Sequence, residues 1–449
     1  MRDFLAIIIN KVITFTCLIS KPVTHTEGSV VPGSFASKIN RHILDDLKYP
    51  KYIVGVTGSS GKGSTTKLIA NILTDNGYKV VWNKNGSNLF NAALTLILNN
   101  TNPFTKKINA DVLLLELDES YIKEIFNKVN LTHLVITNIT RDQVARNGEP
   151  EIIYKNILDA LDPSTNLIIN ANDPFVLNLA IESKCPTIKY GLLKYKGDTK
   201  KPLSNTIDMV YCPICGEKLK YAYYHYGNIG SFQCPKCKFG TNPLQYKGTD
   251  INLQSKFMTI NNHLVNINHG ALFTSYATTA AYALCNTIGL DETSIQNTLN
   301  KNYEDYNNEN VFQLGKRKVE MLDSKPENAL SYEQTIDYVL EQKGNLTVII
   351  GFDNVSRRYD YNDISWLYDI NFSKLKDPFI DKIVCIGRFK YDIALAMEYM
   401  GIDSKKIIIV DNYRTELKNI IVHKTKGNIY TIIFVDMMNA VKKALTEVK

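Results

Sequence analysis

With 449 residues, 44% of them hydrophobic and 22% charged, the chain is long enough for two or three domains, and its composition excludes a disordered, fibrous or disulfide-stapled protein. Its 52 Lys and Arg against 45 Asp and Glu leave a net charge of +7, which favours an anionic substrate or an acidic surface without demanding nucleic acid. Of eight cysteines, Cys17, Cys185, Cys285 and Cys385 stand alone in apolar settings and read as small buried residues, so a reducing, cytoplasmic compartment is expected.

From the N-terminus, Phe4 to Ser20 is apolar apart from Asn10, Lys11 and a few hydroxyls. Lys11 interrupts the run, no clean small-residue cleavage site follows, and the stretch is short for a secure span. The expectation is a helix packed on the body of the protein, with a helix resting on the inner face of the cell membrane as the alternative. A Gly/Pro/Ser-rich segment from Glu27 to Ser37 reads as a linker.

Strand-like and helix-like segments then alternate. Tyr52 to Val56 is a β-branched strand, followed by a glycine-rich turn and a helix from Ser64 to Asn76. Tyr78 to Trp82, Asp111 to Leu115 and His133 to Ile136 are further apolar runs bounded by polar turns, as buried parallel strands require. This pattern predicts a doubly wound α/β sheet. A helix-rich stretch spans Gly270 to Gly289, and a polar, Asn-rich segment from Asn302 to Asn310 marks a boundary. Beyond it, Leu346 to Ile350, Lys382 to Ile386 and Lys406 to Val410 are the expected strands of a second α/β unit. The predicted organisation is residues 1–45 for the first helix and linker, 46–305 for an ATP-binding domain, and 306–449 for a smaller Rossmann-like domain.

The first strand runs into Gly58-Ser59-Ser60-Gly61-Lys62-Gly63-Ser64-Thr65 before the helix. Glycines let backbone N–H groups turn toward a triphosphate, and the helix N-terminus adds partial positive charge. Lys62 is placed to reach the β- and γ-phosphates and the Ser64 hydroxyl to meet Mg²⁺, so this segment is read as an ATP site. Its glycines are closer together than in the general P-loop.

Cys212, Cys215, Cys234 and Cys237 interrupt the α/β pattern with the C-x2-C, C-x2-C spacing of a closed tetrahedral zinc site. Four protein ligands leave no position for substrate, so the expected Zn²⁺ is structural and holds a ribbon at about 205–245. His225 lies within that ribbon, but four cysteines suffice. Tyr221 to Tyr226, with Lys218, Lys220, Lys236 and Lys238, offers a remote alternative, a nucleic-acid-binding NTPase. Aromatic cover for a thin core is the preferred reading, and no nucleic acid is expected.

The shortened loop resembles that of the Mur ligase and folylpolyglutamate synthetase superfamily, ATP-dependent enzymes that form amide bonds through an acyl-phosphate. Glu116, in Leu115 to Ser120, matches the superfamily's Mg²⁺-binding glutamate. Thr137 to Gln143 resembles its T-N-x-x-x-D-H stretch, and Asn170 to Pro174 its N-x-D-D-P segment, which implies nucleotide contacts by Asn138, Asn170 and Asp173. An inserted zinc ribbon is similar to one branch, the MurT family, ligase subunits of lipid II isoglutaminyl synthase that work with the glutaminase GatD. Arg141-Asp142-Gln143, the Asp363 to Asp369 block and the segment from Gly387 to Gly401 resemble that family's motifs.

The resemblance implies amidation of the D-glutamate α-carboxyl in a lipid-linked stem peptide, with ammonia supplied by a glutaminase partner in a heterodimer. It also implies that Asp363 completes the partner's Cys–His pair. Leu272 to Thr278 lacks both asparagines of the family's corresponding helix start, and Ser324-Lys325-Pro326 stands where the family has K-N-P. No clear counterpart of the family's G-R-x-E lies around Val311 to Gly315. A Mur-type ligase that adds an amino acid to a cell-wall or pseudomurein-type peptide is the alternative.

Overall fold

The computed structural model describes residues 1–24, 29–84, 89–119, 122–123, 128–142, 148–202, 207–268, 271–301, 310–325, 327–355 and 363–447. Two helices come first, α1 (Arg2–Thr24) and α2 (Val31–Ile39). The second forms inside the segment read as a linker, and the reason is local. Pro32 occupies the first turn, where its fixed φ suits a helix. Gly33 meets a later helix so closely that a Cβ there would lie 2.1 Å from the Asn91 carbonyl oxygen. The Pro-Gly-Ser composition that suggested a linker thus serves packing.

The middle of the chain runs β1 (Tyr52–Thr57), α3 (Lys62–Asp75), β2 (Val80–Trp82), α4 (Phe90–Asn99), β3 (Val112–Glu116), β4 (His133–Ile136), α5 (Pro150–Leu158), β5 (Asn166–Asn170), α6 (Pro174–Ser183) and β6 (Thr187–Leu192). After a hairpin of β7 (Lys220–Tyr226) and β8 (Ile229–Gln233) come β9 (Tyr246–Asn252), β10 (Phe257–Ile260), β11 (His263–Asn266), α7 (Leu272–Thr287) and α8 (Glu292–Leu299). Nine strands form one sheet in the order β11-β10-β9-β6-β5-β4-β1-β3-β2. From β2 to β9 every pairing is parallel, and β9, β10 and β11 add an antiparallel margin that the sequence reading missed.

Alternation along the strands sends successive side chains to opposite faces. Ile53, Leu113, Leu115, Leu134 and Ile136 join one core with residues of α1, α2, α4 and α6. Val54, Val56, Val112, Leu114 and Val135 join another with α3 and α7. Both faces are covered, which is why these strands read as continuous apolar runs. β2 begins two residues later than expected, because Gly77 turns left-handed (φ 84°) and the Tyr78 N–H closes on the Leu73 carbonyl at the end of α3.

The second unit contains β12 (Val311–Leu314), β13 (Arg317–Asp323), α9 (Ala329–Leu340), β14 (Leu346–Gly351), β15 (Ile380–Ile386), α10 (Lys390–Tyr399), β16 (Ile407–Ile409), α11 (Tyr413–Lys424), β17 (Asn428–Ile433) and α12 (Val435–Thr446). Its sheet order is β12-β13-β17-β14-β15-β16, parallel except for the β12–β13 pair. The sequence reading found β14, β15 and β16 but passed over β12, β13 and β17. The polar segment 302–310 lies outside the described residues except for Asn310.

Candidate active site and zinc ribbon

The loop between β1 and α3 is held open from below. Gly58 (φ 127°) lies so close to the end of β4 that a Cβ would come 2.2 Å from the Thr137 hydroxyl oxygen. Gly61 is also left-handed (φ 80°), but space lies open where its Cβ would be. The helix start at Gly61 has no side-chain cap, so the N–H groups of the first turn are left for an anion. This open donor set fits a nucleotide phosphate.

The segment after β4 fastens the loop by hydrogen bonds. The Asn138 side chain accepts from the Ser60 N–H (3.0 Å) and hydroxyl (3.2 Å) and donates to the Ser60 carbonyl (3.0 Å). Thr137 donates to the same carbonyl at 2.7 Å. The Ser59 hydroxyl donates to the Thr140 carbonyl and accepts from the Thr140 N–H, each at 2.9 Å. Asn170 and Asp173 lie deeper and are wholly buried. Asn170 donates to the Thr137 carbonyl, while Asp173 accepts from the Ile139 N–H and caps α6. Burial pushes the Asp173 carboxyl up to about 7, against the pull of those amide donors. Their side chains brace the Thr137–Thr140 segment that braces the loop.

Lys62 turns back into the protein. Its ammonium donates to the Gly58 carbonyl at 2.6 Å and pairs with Glu119 at 2.5 Å. Burial works against its charge, but Glu119, Asp142 and Asp118 hold its pKa above the ordinary lysine value. Glu116, at the end of β3, is pushed up by burial and pulled down by Lys62 and Lys325. Its backbone is fixed by Asn83, whose Oδ1 accepts from the Glu116 N–H at 2.9 Å. Ser64 is exposed on the first turn of α3, whereas the Thr65 hydroxyl is bonded to the Gly61 carbonyl at 2.8 Å.

Asp142 draws the second unit in. It is buried and accepts from Asn328 at 3.0 Å and from the Lys325 ammonium. Four carboxylates (Glu116, Asp118, Glu119, Asp142) thus share their surroundings with two lysines, Lys62 and Lys325. Carboxylate oxygens such as those of Glu116 are the hard donors that Mg²⁺ takes. Sequence reasoning proposed Lys62 and Glu116 for this site and missed Glu119 and Lys325. Glu119 lies only three residues beyond Glu116, but nothing local shows that it turns toward Lys62. Gln143, the last residue of the R-D-Q stretch, falls outside the described residues.

The four cysteines come together as expected. Cys212 and Cys237 approach to 3.4 Å between sulfurs, as do Cys215 and Cys234, and all four sulfurs lie within 4.8 Å of one another. A tetrahedron of Zn–S bonds of ~2.3 Å has edges of ~3.8 Å, so the quartet fits one Zn²⁺. Each C-x2-C turn ends in a left-handed residue, Gly216 (φ 72°) and Lys238 (φ 64°). Phe232 and Phe239 pack beneath, and Tyr221 stacks on Tyr224 at 4.1 Å, so these aromatics cover the ribbon's own core. His225 is buried away from the sulfurs, bonded to Asp198 at 2.6 Å and near the Leu192 carbonyl.

Asp363 is exposed at the start of a 3-10 turn over Ser365–Tyr368, and its Oδ1 accepts from the Ser365 N–H at 2.9 Å. Buried Trp366, packed against Tyr332 and Phe352, pins that turn. Asp369, at its far end, faces Arg141 at 3.9 Å, while Arg141 also approaches Asp208 of the ribbon at 2.9 Å.

Comparison with known proteins agrees with this architecture. Residues 56–216 match the Mur ligase middle domain and residues 326–435 the MurT ligase C-terminal domain. The chain is 28% identical over 397 residues to the MurT subunit of lipid II isoglutaminyl synthase (glutamine-hydrolyzing) from Staphylococcus aureus strain COL, covering 87% of each chain. It is 29% identical over 401 residues to the MurT subunit from Streptococcus pneumoniae strain ATCC BAA-255 / R6, covering 88% of this chain and 87% of that one. In fold it is similar to a pseudomurein peptide ligase type C from Methanothermus fervidus, with a TM-score of 0.69, 21% identity, and 91% and 80% of the two chains covered. MurF from Acinetobacter baumannii gives a TM-score of 0.65 at 15% identity, with 92% and 80% covered. The two domain matches, the inserted cysteine quartet and the similarity over 87–88% of the chain lead to one conclusion: the chain is a divergent member of the MurT family of Mur-type, ATP-dependent ligases.

Proposed function

We propose that this chain is the ligase subunit of a glutamine-dependent lipid II-type isoglutaminyl synthase, amidating the α-carboxyl of D-glutamate in a lipid-linked stem peptide. The observation that carries the reading is an open phosphate loop beside the Glu116 carboxylate, in a chain similar along most of its length to subunits of that name.

A carboxylate oxygen is a poor leaving group, so amide formation needs the carboxylate activated. The carboxylate would attack the γ-phosphorus of ATP, releasing ADP and forming an acyl-phosphate, and ammonia would then attack the carbonyl carbon and displace inorganic phosphate. Gly58 to Thr65 would cradle the phosphates, with Lys62 offering its ammonium from below and Asn138 keeping the loop in place. Asn170 and Asp173 would act one layer further out, by bracing Thr137 to Thr140. Ser64 and Glu116 are the proposed holders of Mg²⁺, which would neutralise charge on the transferred group. Zn²⁺ in the cysteine quartet would take no part in the reaction.

Ammonia would come from a glutaminase subunit. Asp363 suits a role at that interface: it is exposed, carries a carboxylate, and sits on a turn pinned by Trp366. A carboxylate there would orient a partner imidazole and stabilise its cation. The test pairs the chain with its glutaminase and follows amidation of lipid II by mass spectrometry. Ammonium salts should support turnover by the chain alone, and glutamine only with the partner. Asp363→Asn should cut glutamine-dependent turnover by about 10³-fold while sparing ammonia-dependent turnover. Incorporation of a free amino acid in place of ammonia would make the chain an amino-acid ligase instead.

A further inference from the structure

A surface helix of a water-soluble protein normally carries its polar residues opposite the face it buries. α1 does not. Its inner face is fixed to the body: Ala6, Ile7 and Asn10 are fully buried, and the Asn10 amide donates to the Thr95 carbonyl (3.2 Å) and the Asn99 side chain (2.9 Å). Thr14 bonds Asn99 as well. At ~100° per residue, the face directly opposite is made by Leu5, Ile8, Val12, Phe15 and Ile19. Phe15 is 63% exposed and Ile19 64%. The helix is therefore apolar on both sides, and the protein covers only one.

The surroundings of that band carry the charge of one kind of partner. Lys11 and Arg2 flank it on either side by the same angular spacing. The single acidic residue of α1, Asp3, is turned away and engaged by Asn40 and Lys106. Next to the first turn stands a loop whose tip, Phe104, is 82% exposed and touches Phe4 with ring centroids 5.3 Å apart. Exposed Lys107 follows on the same loop. The first 51 residues hold seven Lys and Arg against four Asp and Glu. An apolar band edged by cations, with an exposed aromatic at one end, matches the layering of an anionic bilayer surface: acyl chains beneath, phosphate above.

We propose that the outer face of α1, with Phe104, docks the enzyme in-plane on an anionic lipid surface. α1 is long and apolar enough to cross a membrane by composition, but a spanning position would strip Asn10 and Thr14 from their bonds to α4. Docking keeps those bonds and buries the opposite side. The inference goes beyond the amidation reading and draws only on the N-terminal surface.

The test sediments the full-length protein with vesicles of phosphatidylcholine alone or with about a third phosphatidylglycerol. Wild type should pellet with the mixed vesicles, release as salt rises, and bind neutral vesicles more weakly. Phe15→Asp with Ile19→Asp should weaken binding at least about tenfold with an unchanged melting temperature, since both side chains lie outside the fold. Phe104→Ser, at the loop tip, should weaken it independently. Wild type that stays in the supernatant, or variants that pellet as well as wild type, would overturn the proposal. So would sedimentation-velocity evidence that the same substitutions abolish a lipid-free self-association, which would make the face an interface between copies. No nucleotide, glutamine or lipid II is present, so the result stands or falls apart from the amidation assay.

Discussion

Lys62 and Glu119 show what a single pair decides in this protein. Both side chains are almost wholly buried, and the Glu119 carboxylate helps to hold the charge of Lys62 against the pull of burial. Such pairs add little net stability when intact, yet removing one partner strands the other. Glu119→Gln should therefore destabilise the protein by about 3–5 kcal/mol, measured by urea unfolding. Glu119→Gln combined with Lys62→Met should recover much of that loss while leaving ATP turnover abolished. A single Glu119→Gln change with no effect on stability would show that Asp142 and Asp118 suffice to hold the Lys62 charge. This pair was hidden from the sequence because its members lie 57 positions apart and only the fold of β1 and β3 as neighbours brings them together. Lys62 itself was legible, since strand, glycines, lysine and helix are consecutive.

At the level of elements, the ribbon and α2 make opposite points. The ribbon was readable because four cysteines at fixed spacing name their own geometry, and few other arrangements satisfy four thiolates at once. One zinc per chain is expected by atomic absorption. Cys212→Ser or a strong chelator should release it and raise amide hydrogen exchange in residues 212–239 by at least about tenfold, with α7 unaffected, because a small metal site folds with its ion. Undiminished protection after chelation would mean that the aromatic core alone holds the ribbon. The segment that forms α2 was misread because Pro, Gly and Ser are turn-formers in isolation. Gly33 is there because α4 leaves no room for a Cβ, a fact that belongs to α4 as much as to the segment. The antiparallel margin β9–β11 and the strands β13 and β17 were passed over for a related reason. Their pairing partners are remote, and their own sequences carry polar residues that weaken an apolar-run signal.

Across the whole molecule, the junction between the two sheets gathers residues from every part of the chain. Asp142 from the segment after β4 receives Lys325 and Asn328 from the start of α9. Arg141, next to it, lines a cleft with Asp208 and Asn228 of the ribbon and Leu330 and Asp369 of the second unit. The hairpin tip at Gly227 faces Leu330 directly. Ribbon, phosphate loop and second unit therefore share one contact region. Because Asp142 is buried and Lys325 partly exposed, Asp142→Asn and Lys325→Met should be non-additive, with a coupling of about 1–2 kcal/mol in a double-mutant cycle of urea unfolding. Additivity within about 0.5 kcal/mol would mean that the pair does not couple the two units.

What the sequence by itself determined was whatever depends on neighbours in the chain. The α/β class came from apolar runs at strand length, the phosphate loop from consecutive residues, and the metal site from a spacing that tolerates few alternatives. What only the tertiary structure decided was who faces whom. It put Glu119 under Lys62, Lys325 against Asp142 across 183 positions, and a second apolar face of α1 in solvent. Local signals survive in a linear code because the backbone forces near residues together. Pairings across the chain depend on how helices and strands pack, and the same lysine or carboxylate reads alike in the sequence wherever its partner stands.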